Sequence, residues 1–412
     1  MERYLRLYTD LAGEFNARPT LPITASVLAR HPALITRFAH EGVEFAVHGL
    51  VHNDHAKLSL NEQYTSIAKA MAMFRSAGVP YSGFRGPYLR YNQATHEAVR
   101  SLGLQYHSSQ AVVYDVMPND LMQGAQAVAY RRALDLYRAV DAADMLVRPH
   151  DVDGLIDIPV AMPDDEIMVD RLHCDNQTQA AAWLDVLDIT HEKGELFTLQ
   201  LHPERVVDCA YALRAVLVEA RRRQPTVWVA RLDEIAAWWR RRRQARVRVD
   251  ALEDDRYRVQ LEGERDATLL VRGLPAVDAG AWSGRDQVAR SHRFEVATAV
   301  KPVVGVSTRS PQPVLDFLRE EGLPAEVSDR RERFGAYLDV ADSTGNEVEW
   351  LAEIDRAPGP LVRLGRWPAG ARSALALTGD VDSITIQDFL FRQWETRRWP
   401  RHSGRAARRM TS

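Results

Sequence analysis

The chain is poor in the residues that would simplify its reading. It has two cysteines, Cys174 and Cys209, in 412 residues, too few for a disulfide framework. Only four of its 53 basic residues are lysines, and with a net charge of -3 no strong global attraction to nucleic acid is expected. No run approaches the ~20 apolar residues that a membrane helix needs, so no membrane span is expected. The opening Met1-Glu2-Arg3-Tyr4-Leu5-Arg6 lacks a charged region followed by an apolar run, which argues against a signal peptide and for a cytoplasmic protein. What is present is ordinary globular composition, 46% hydrophobic and 26% charged, which excludes disorder along the whole length. At roughly 150 residues per domain the length suggests two to three domains.

The first 240 residues alternate strand-like runs with amphipathic stretches. Helical spacing marks 2–16, 32–41, 61–77, 93–102, 177–193 and 207–222. Strands are expected at 21–26, 43–47, 83–85, 105–107, 154–160, 196–201 and 227–229. Repeated βα units imply a parallel sheet with helices outside, and about seven of them suggest a barrel. After Arg243 the pattern changes to period-two alternation over 246–272, which reads as antiparallel strands. A helix near 312–321 and strands near 336–341 and 347–354 complete a β-rich module over 245–356. A Pro/Gly-dense linker is expected at 357–370, then a strong strand at 373–378 and a basic tail at 396–412.

Chemistry-bearing residues gather where strands end, which is where parallel α/β folds place their sites. His48 and His52 follow the strand 43–47, and a four-residue spacing lets two imidazoles share one ion if they lie on one helical face. Arg85, before Gly86-Pro87-Tyr88, is suited to holding a carboxylate. His202, after the run 196–201, is suited to general acid work near neutral pH. Taken singly, each is more often a polar turn residue or a cap. The run Arg240–Arg243 reads as a solvated helix C-terminus, and His150 as a residue that lines the cleft.

In order, Phe45-Ala46-Val47-His48-Gly49-Leu50-Val51-His52, Arg85-Gly86-Pro87-Tyr88 and Leu199-Gln200-Leu201-His202 resemble the second, third and fifth motifs of the polysaccharide deacetylases, the NodB-homology enzymes of carbohydrate esterase family 4. His55 departs from the pattern, because the family usually has an apolar residue there. A fourth motif, in which an Asp supports the catalytic histidine, has no clear counterpart; Asp115 and Asp157 are the candidates. The first motif, a strand ending in Asp-x-Asp, is missing before His48, where the only acids are Glu2, Asp10, Glu14, Glu41 and Glu44. A good match, Leu375-Ala376-Leu377-Thr378-Gly379-Asp380-Val381-Asp382, stands more than 300 residues downstream.

One strand is missing at the start and one is spare at the end, which suggests a circular permutation. Termini are often near one another, so such a break is physically reasonable. The expected fold is α/β: a distorted (β/α)7-type NodB-like barrel from 1–243 plus 371–395, with the module 245–356 inserted. The resemblance implies Zn2+ or another divalent metal held by Asp382, His48 and His52. It implies Asp380 as base, oriented by Arg85, His202 as acid, and the backbone N–H of Tyr88 in the oxyanion pocket. The implied reaction is metal-dependent hydrolysis of an N-acetyl group on an amino sugar or polysaccharide. The alternatives are an amide or ureide hydrolase on a small non-sugar substrate, and a catalytically silent carbohydrate-binding barrel. In the silent case, Asp382 would lie more than about 6 Å from the imidazoles, too far to share an ion at bonds near 2 Å. The expected partner is thus an N-acetylated carbohydrate or small amide, not nucleic acid, with homo-oligomer formation left open.

Overall fold

A computed structural model describes residues 1–341 and 346–382. Eight parallel strands build its main sheet: β1 (Thr20–Ile23), β2 (Glu44–Val47), β3 (Gly83–Phe84), β4 (Tyr106–His107), β5 (Leu155–Asp157), β6 (Leu196–Gln200), β7 (Val227–Val229) and β8 (Ser373–Thr378). The order runs β6-β8-β1-β2-β3-β4-β5, with β7 also pairing β8 and the antiparallel strand His150–Val152 beyond β5. The result is a curled, parallel-rich half-barrel with helices outside, and further sheets make up an added module.

The position of β8 organises the rest. It is the last described strand in sequence, yet it lies between β6 and β1. Leu196–Gln200 pair with Ala374–Thr378, Thr20 pairs with Thr378, and Val227–Val229 pair with Ser373–Leu375. All six of its residues are buried, which explains why the run is apolar almost throughout: a strand covered on both faces has no solvent side to mark with polar residues. Leu375 and Leu377 join the barrel core, while Ala374 and Ala376 face a second core toward Trp238, Trp239 and Trp367. The proposed continuation to 395 and the tail 396–412 lie outside the described residues.

Several elements differ from expectation. The strand at 21–26 stops at Ile23, and a helix, Ala25–Arg30, follows at once. The run 154–160 divides into β5 and a second strand, Val160–Met162, which belongs to another sheet. Residues 347–354 form part of a helix, Glu347–Arg356, not a strand. Asn346 caps it, its side-chain oxygen accepting from the backbone N–H of Val348 and Glu349, and Trp350 and Ile354 bury one face. Within 357–370, read as a linker, Leu361–Leu364 pairs with Leu269–Arg272 as a sheet strand. The module also contains a parallel β-sheet, with Lys301–Val306 flanked by Ala325–Val327 and Phe334–Leu338, that the alternation did not reveal.

The helix end at Arg240–Arg243 is not simply solvated. Arg242 is buried, lies over the Trp239 ring, and donates to the carbonyls of Gly365, Glu320 and Glu321. His150 is likewise far from any cleft role: it packs beside Arg148, where barrel and module meet through the pairs of Arg148 with Glu320, Glu321 and Glu347. No helix among the described residues is long and apolar enough to cross a membrane.

Candidate active site

The end of β8 delivers two carboxylates to one face. Beyond Thr378 the chain continues extended: Val381 N–H donates to Pro22 O at 2.7 Å, and Val381 bridges Ile23. Side chains alternate along an extended chain, so with Val381 buried in the core, Asp380 and Asp382 share the opposite face. Gly379 permits this path, since a Cβ there would stand 1.8 Å from the Leu201 carbonyl.

His48 follows β2, its N–H donating to Ile23 O. The segment from His48 to His52 is not helical, contrary to the helical-face reading: Gly49 takes φ +77 and turns the chain, and the turn itself brings the rings to 5.2 Å. His52 Nε2 lies 2.9 Å from Asp382 Oδ2, and His48 Nε2 lies 3.6 Å from Asp382 Oδ1. Both distances are inside the 6 Å limit that the silent-barrel reading required to be exceeded. Three ligands at bonds of about 2.0–2.1 Å in tetrahedral arrangement stand roughly 3.3 Å apart, close to this spacing.

The donor chemistry also fits a cation. His48 Nδ1 donates to the Arg85 carbonyl at 2.8 Å, which leaves Nε2 as a bare lone pair. That Nε2 and Asp382 Oδ1 are both buried without a hydrogen-bond partner. Burial lowers the His48 pKa despite nearby Asp380 and Asp382, keeping the ring neutral as a ligand must be. Burial alone would raise the pKa of Asp382, but His52 and His48 hold it below the usual carboxylate range.

Asp380 is held from both sides. Arg85 Nη1 donates to its Oδ1 at 3.3 Å, and Gln200 Nε2 donates to its Oδ2 at 3.1 Å. Arg85 is fully buried and held on several sides: Nε and Nη2 donate to the Ser108 carbonyl and hydroxyl, and Nη1 also reaches Gln200 and Thr378. Burial opposes ionisation of Asp380, yet His48, Arg85 and His202 together lower its pKa, so it is a carboxylate able to accept a proton. Gln200, two residues before His202, was not singled out from sequence, because an isolated glutamine carries no pattern.

The support for His202 is Asp165. Its Oδ1 accepts from His202 Nδ1 at 2.9 Å and its Oδ2 from the His202 backbone N–H at 3.0 Å. Burial would lower the His202 pKa, but Asp165 raises it well above the ordinary histidine value, so the ring is held protonated. Asp115 is exposed and Asp157 pairs with His107 instead, so neither candidate fills this place. The signal was the acidic run Asp164-Asp165-Glu166 directly after the apolar strand Val160–Met162, hidden when 154–160 is taken as a single strand. His55, the departure from the motif, is fully buried against Phe84, and burial lowers its pKa to about 3.

Tyr88 has the left-handed conformation (φ 58), and its ring stands edge-on to His52 at 4.2 Å between centroids. With His52, Gln200, His202, Asp380 and Asp382 it lines a cleft of about 360 Å³, whose outer wall includes Tyr137 and Arg171.

Residues 6–107 match the family model for polysaccharide deacetylase. Similar solved structures include a putative polysaccharide deacetylase from Mycobacterium smegmatis, 20% identical, covering 57% of this chain and 76% of that one (TM-score 0.43). Another is a probable polysaccharide deacetylase from Pseudomonas aeruginosa PAO1, 18% identical, covering 58% and 73% (TM-score 0.43). A third is Puue allantoinase, 17% identical, covering 57% and 72% (TM-score 0.44). No match was found among curated proteins. The matched segment contains His48, His52 and Arg85 and ends before Asp165, His202 and β8. Over residues 6–107, about a quarter of its length, the chain thus resembles the polysaccharide deacetylases.

Proposed function

We propose that this chain removes an N-acetyl group from an amino sugar in a reaction that depends on a divalent metal, Zn2+ being the first candidate. The observation that carries the reading is the convergence of Asp382 with His48 and His52 across more than 300 residues of sequence. Those three residues would hold the ion, which when bound supplies Lewis acidity toward the acyl oxygen and a more acidic water. Asp380, ionised and fixed by Arg85 and Gln200, takes the proton of the attacking water. Arg85 acts as a positioning residue, since it is sealed from the cleft by its own hydrogen bonds. The Tyr88 backbone N–H is assigned to the acyl oxygen as negative charge develops there. His202, kept protonated by Asp165, donates to the departing amine. Base and acid thus start in the opposite protonation states that the reaction requires.

We also propose that the barrel is circularly permuted and consists of residues 1–243 with the returning segment 371–395, the module being an insertion. The place of β8 between β6 and β1 supports this.

The test is acetate release from N-acetylated mono- and oligosaccharides, beside ring-opening of small cyclic amides, with and without a chelator. Asp382→Ala and His48→Ala should abolish turnover. Unchanged turnover in both variants would overturn the metal assignment, and activity on cyclic amides alone would overturn the sugar reading.

A further inference from the structure

A second group of ligand-type side chains lies on the neighbouring strands. His107 ends β4, Asp157 ends β5, and the two are directly paired in register. His96 reaches them from the helix Gln93–Ser101. His107 Nδ1 stands 2.9 Å from Asp157 Oδ1, His96 Nε2 stands 3.2 Å from His107 Nδ1, and His96 Nε2 stands 3.5 Å from Asp157 Oδ2. Three separate elements therefore each bring a ligand-type atom to one place, all within 4.8 Å of one another. The spacings match the roughly 3.3 Å between tetrahedral ligands with bonds of about 2.0–2.1 Å. They are as tight as those at His48, His52 and Asp382.

Hydrogen bonding accounts for the arrangement only in part. If His107 Nδ1–H donates to Asp157, the same proton is the one facing His96 Nε2. If His96 Nε2 is also protonated, two N–H groups meet at 3.2 Å, and its path to the carboxylate is long at 3.5 Å. A dication gives each of the three lone pairs its own bond. His107 is fully buried, whereas the His96 and Asp157 side chains are 20% and 14% exposed, which leaves an entry path from solvent. Phe84 stands between this group and His55, with ring contacts to both His107 and His55.

We propose that His96, His107 and Asp157 hold a second divalent ion, of the class that prefers imidazole with one carboxylate (Zn2+, Co2+ or Ni2+). Its position assigns it a structural task. Ser108, next to His107, supplies the carbonyl and hydroxyl that accept from Arg85, and Ser109 Oγ accepts from Gly86 N–H. An ion that ties β4, β5 and the His96 helix together fixes the acceptors that aim Arg85 at Asp380.

The experiment counts metal on the full chain. Protein stripped with a chelator is reloaded with a small excess of Zn2+, desalted, and measured by plasma mass spectrometry for the wild type, His96→Ala, Asp157→Asn and Asp382→Asn. His96 is on a partly exposed helix face, so its variant should fold; circular dichroism checks this. Two ions per chain in the wild type and one in each variant is the expected result. One ion in the wild type, lost only in Asp382→Asn, or two ions retained in His96→Ala, would overturn the second site. One ion lost in His96→Ala and kept in Asp382→Asn would support it and overturn the Asp382 assignment instead.

Discussion

Replacing Asp165 by Asn tests whether His202 works as a protonated acid. Asp165 is fully buried, and its two oxygens accept from the His202 ring and backbone at 2.9 and 3.0 Å. Asn keeps the shape and one acceptor but removes the charge. A hydrogen bond to a charged group contributes about 1.5–3 kcal/mol against about 1 for a neutral one, so the substitution forfeits on the order of 1–2 kcal/mol of preference for the imidazolium. At 1.36 kcal/mol per unit this is roughly one pKa unit. The sign follows from the raised pKa: the proton on His202 is retained above the ordinary histidine value and lost as pH rises through the folded-state value. Arg205, whose Nη1 lies 3.7 Å from Asp165, would lose a nearby carboxylate, and its positive charge would push in the same direction. The alkaline limb of the pH–rate profile should therefore move down by about one unit, with the acid limb unmoved. The assay is acetate release from pH 5 to 10 on wild type and Asp165→Asn, with thermal melts as a fold control. An alkaline limb in the same place would refute the assignment of His202 as the acid.

Other outcomes follow from the same geometry. Leu377→Ala, in a fully buried strand at the centre of the sheet, should cost about 2–5 kcal/mol in urea unfolding. Gln200→Ala removes one of two donors to Asp380 and should lower kcat by about fivefold with little change in KM, as expected when a hydrogen bond of about 1 kcal/mol positions the base. Acid should loosen the contact between barrel and module. Burial alone would raise the Glu321 pKa, but Arg366, Arg148 and Arg242 hold it at about 2. Its contribution is thus present above the unfolded value near 4.5 and lost as pH falls toward 2, which melting curves between pH 6 and 3 would follow.

The sequence was most informative where chemistry and strand ends coincide. His48, Arg85 and His202 follow β2, β3 and β6, so local pattern and motif spacing pointed to the same residues. The absence of an Asp-x-Asp strand end before His48 made Asp380 and Asp382 visible, since that pattern follows the strong strand left over at the far end. Contacts without a local signature were not legible. Asp165 meets His202 across 37 residues, and Asp157 meets His107 across 50, and no local spacing ties either acid to its histidine. The helix Glu347–Arg356 misled for a different reason: Val348, Trp350 and Ile354 lie two or four residues apart, a spacing that satisfies alternation as well as one helical face. The Asn346 cap and the packing of Trp350 against Phe317 decide for the helix.

The most direct measurement is anomalous diffraction at the zinc edge from crystals of the zinc-loaded full chain. The account predicts a peak about 2.0–2.2 Å from His48 Nε2, His52 Nε2 and an Asp382 carboxylate oxygen. Density bound without Asp382, or none at that point, would contradict it.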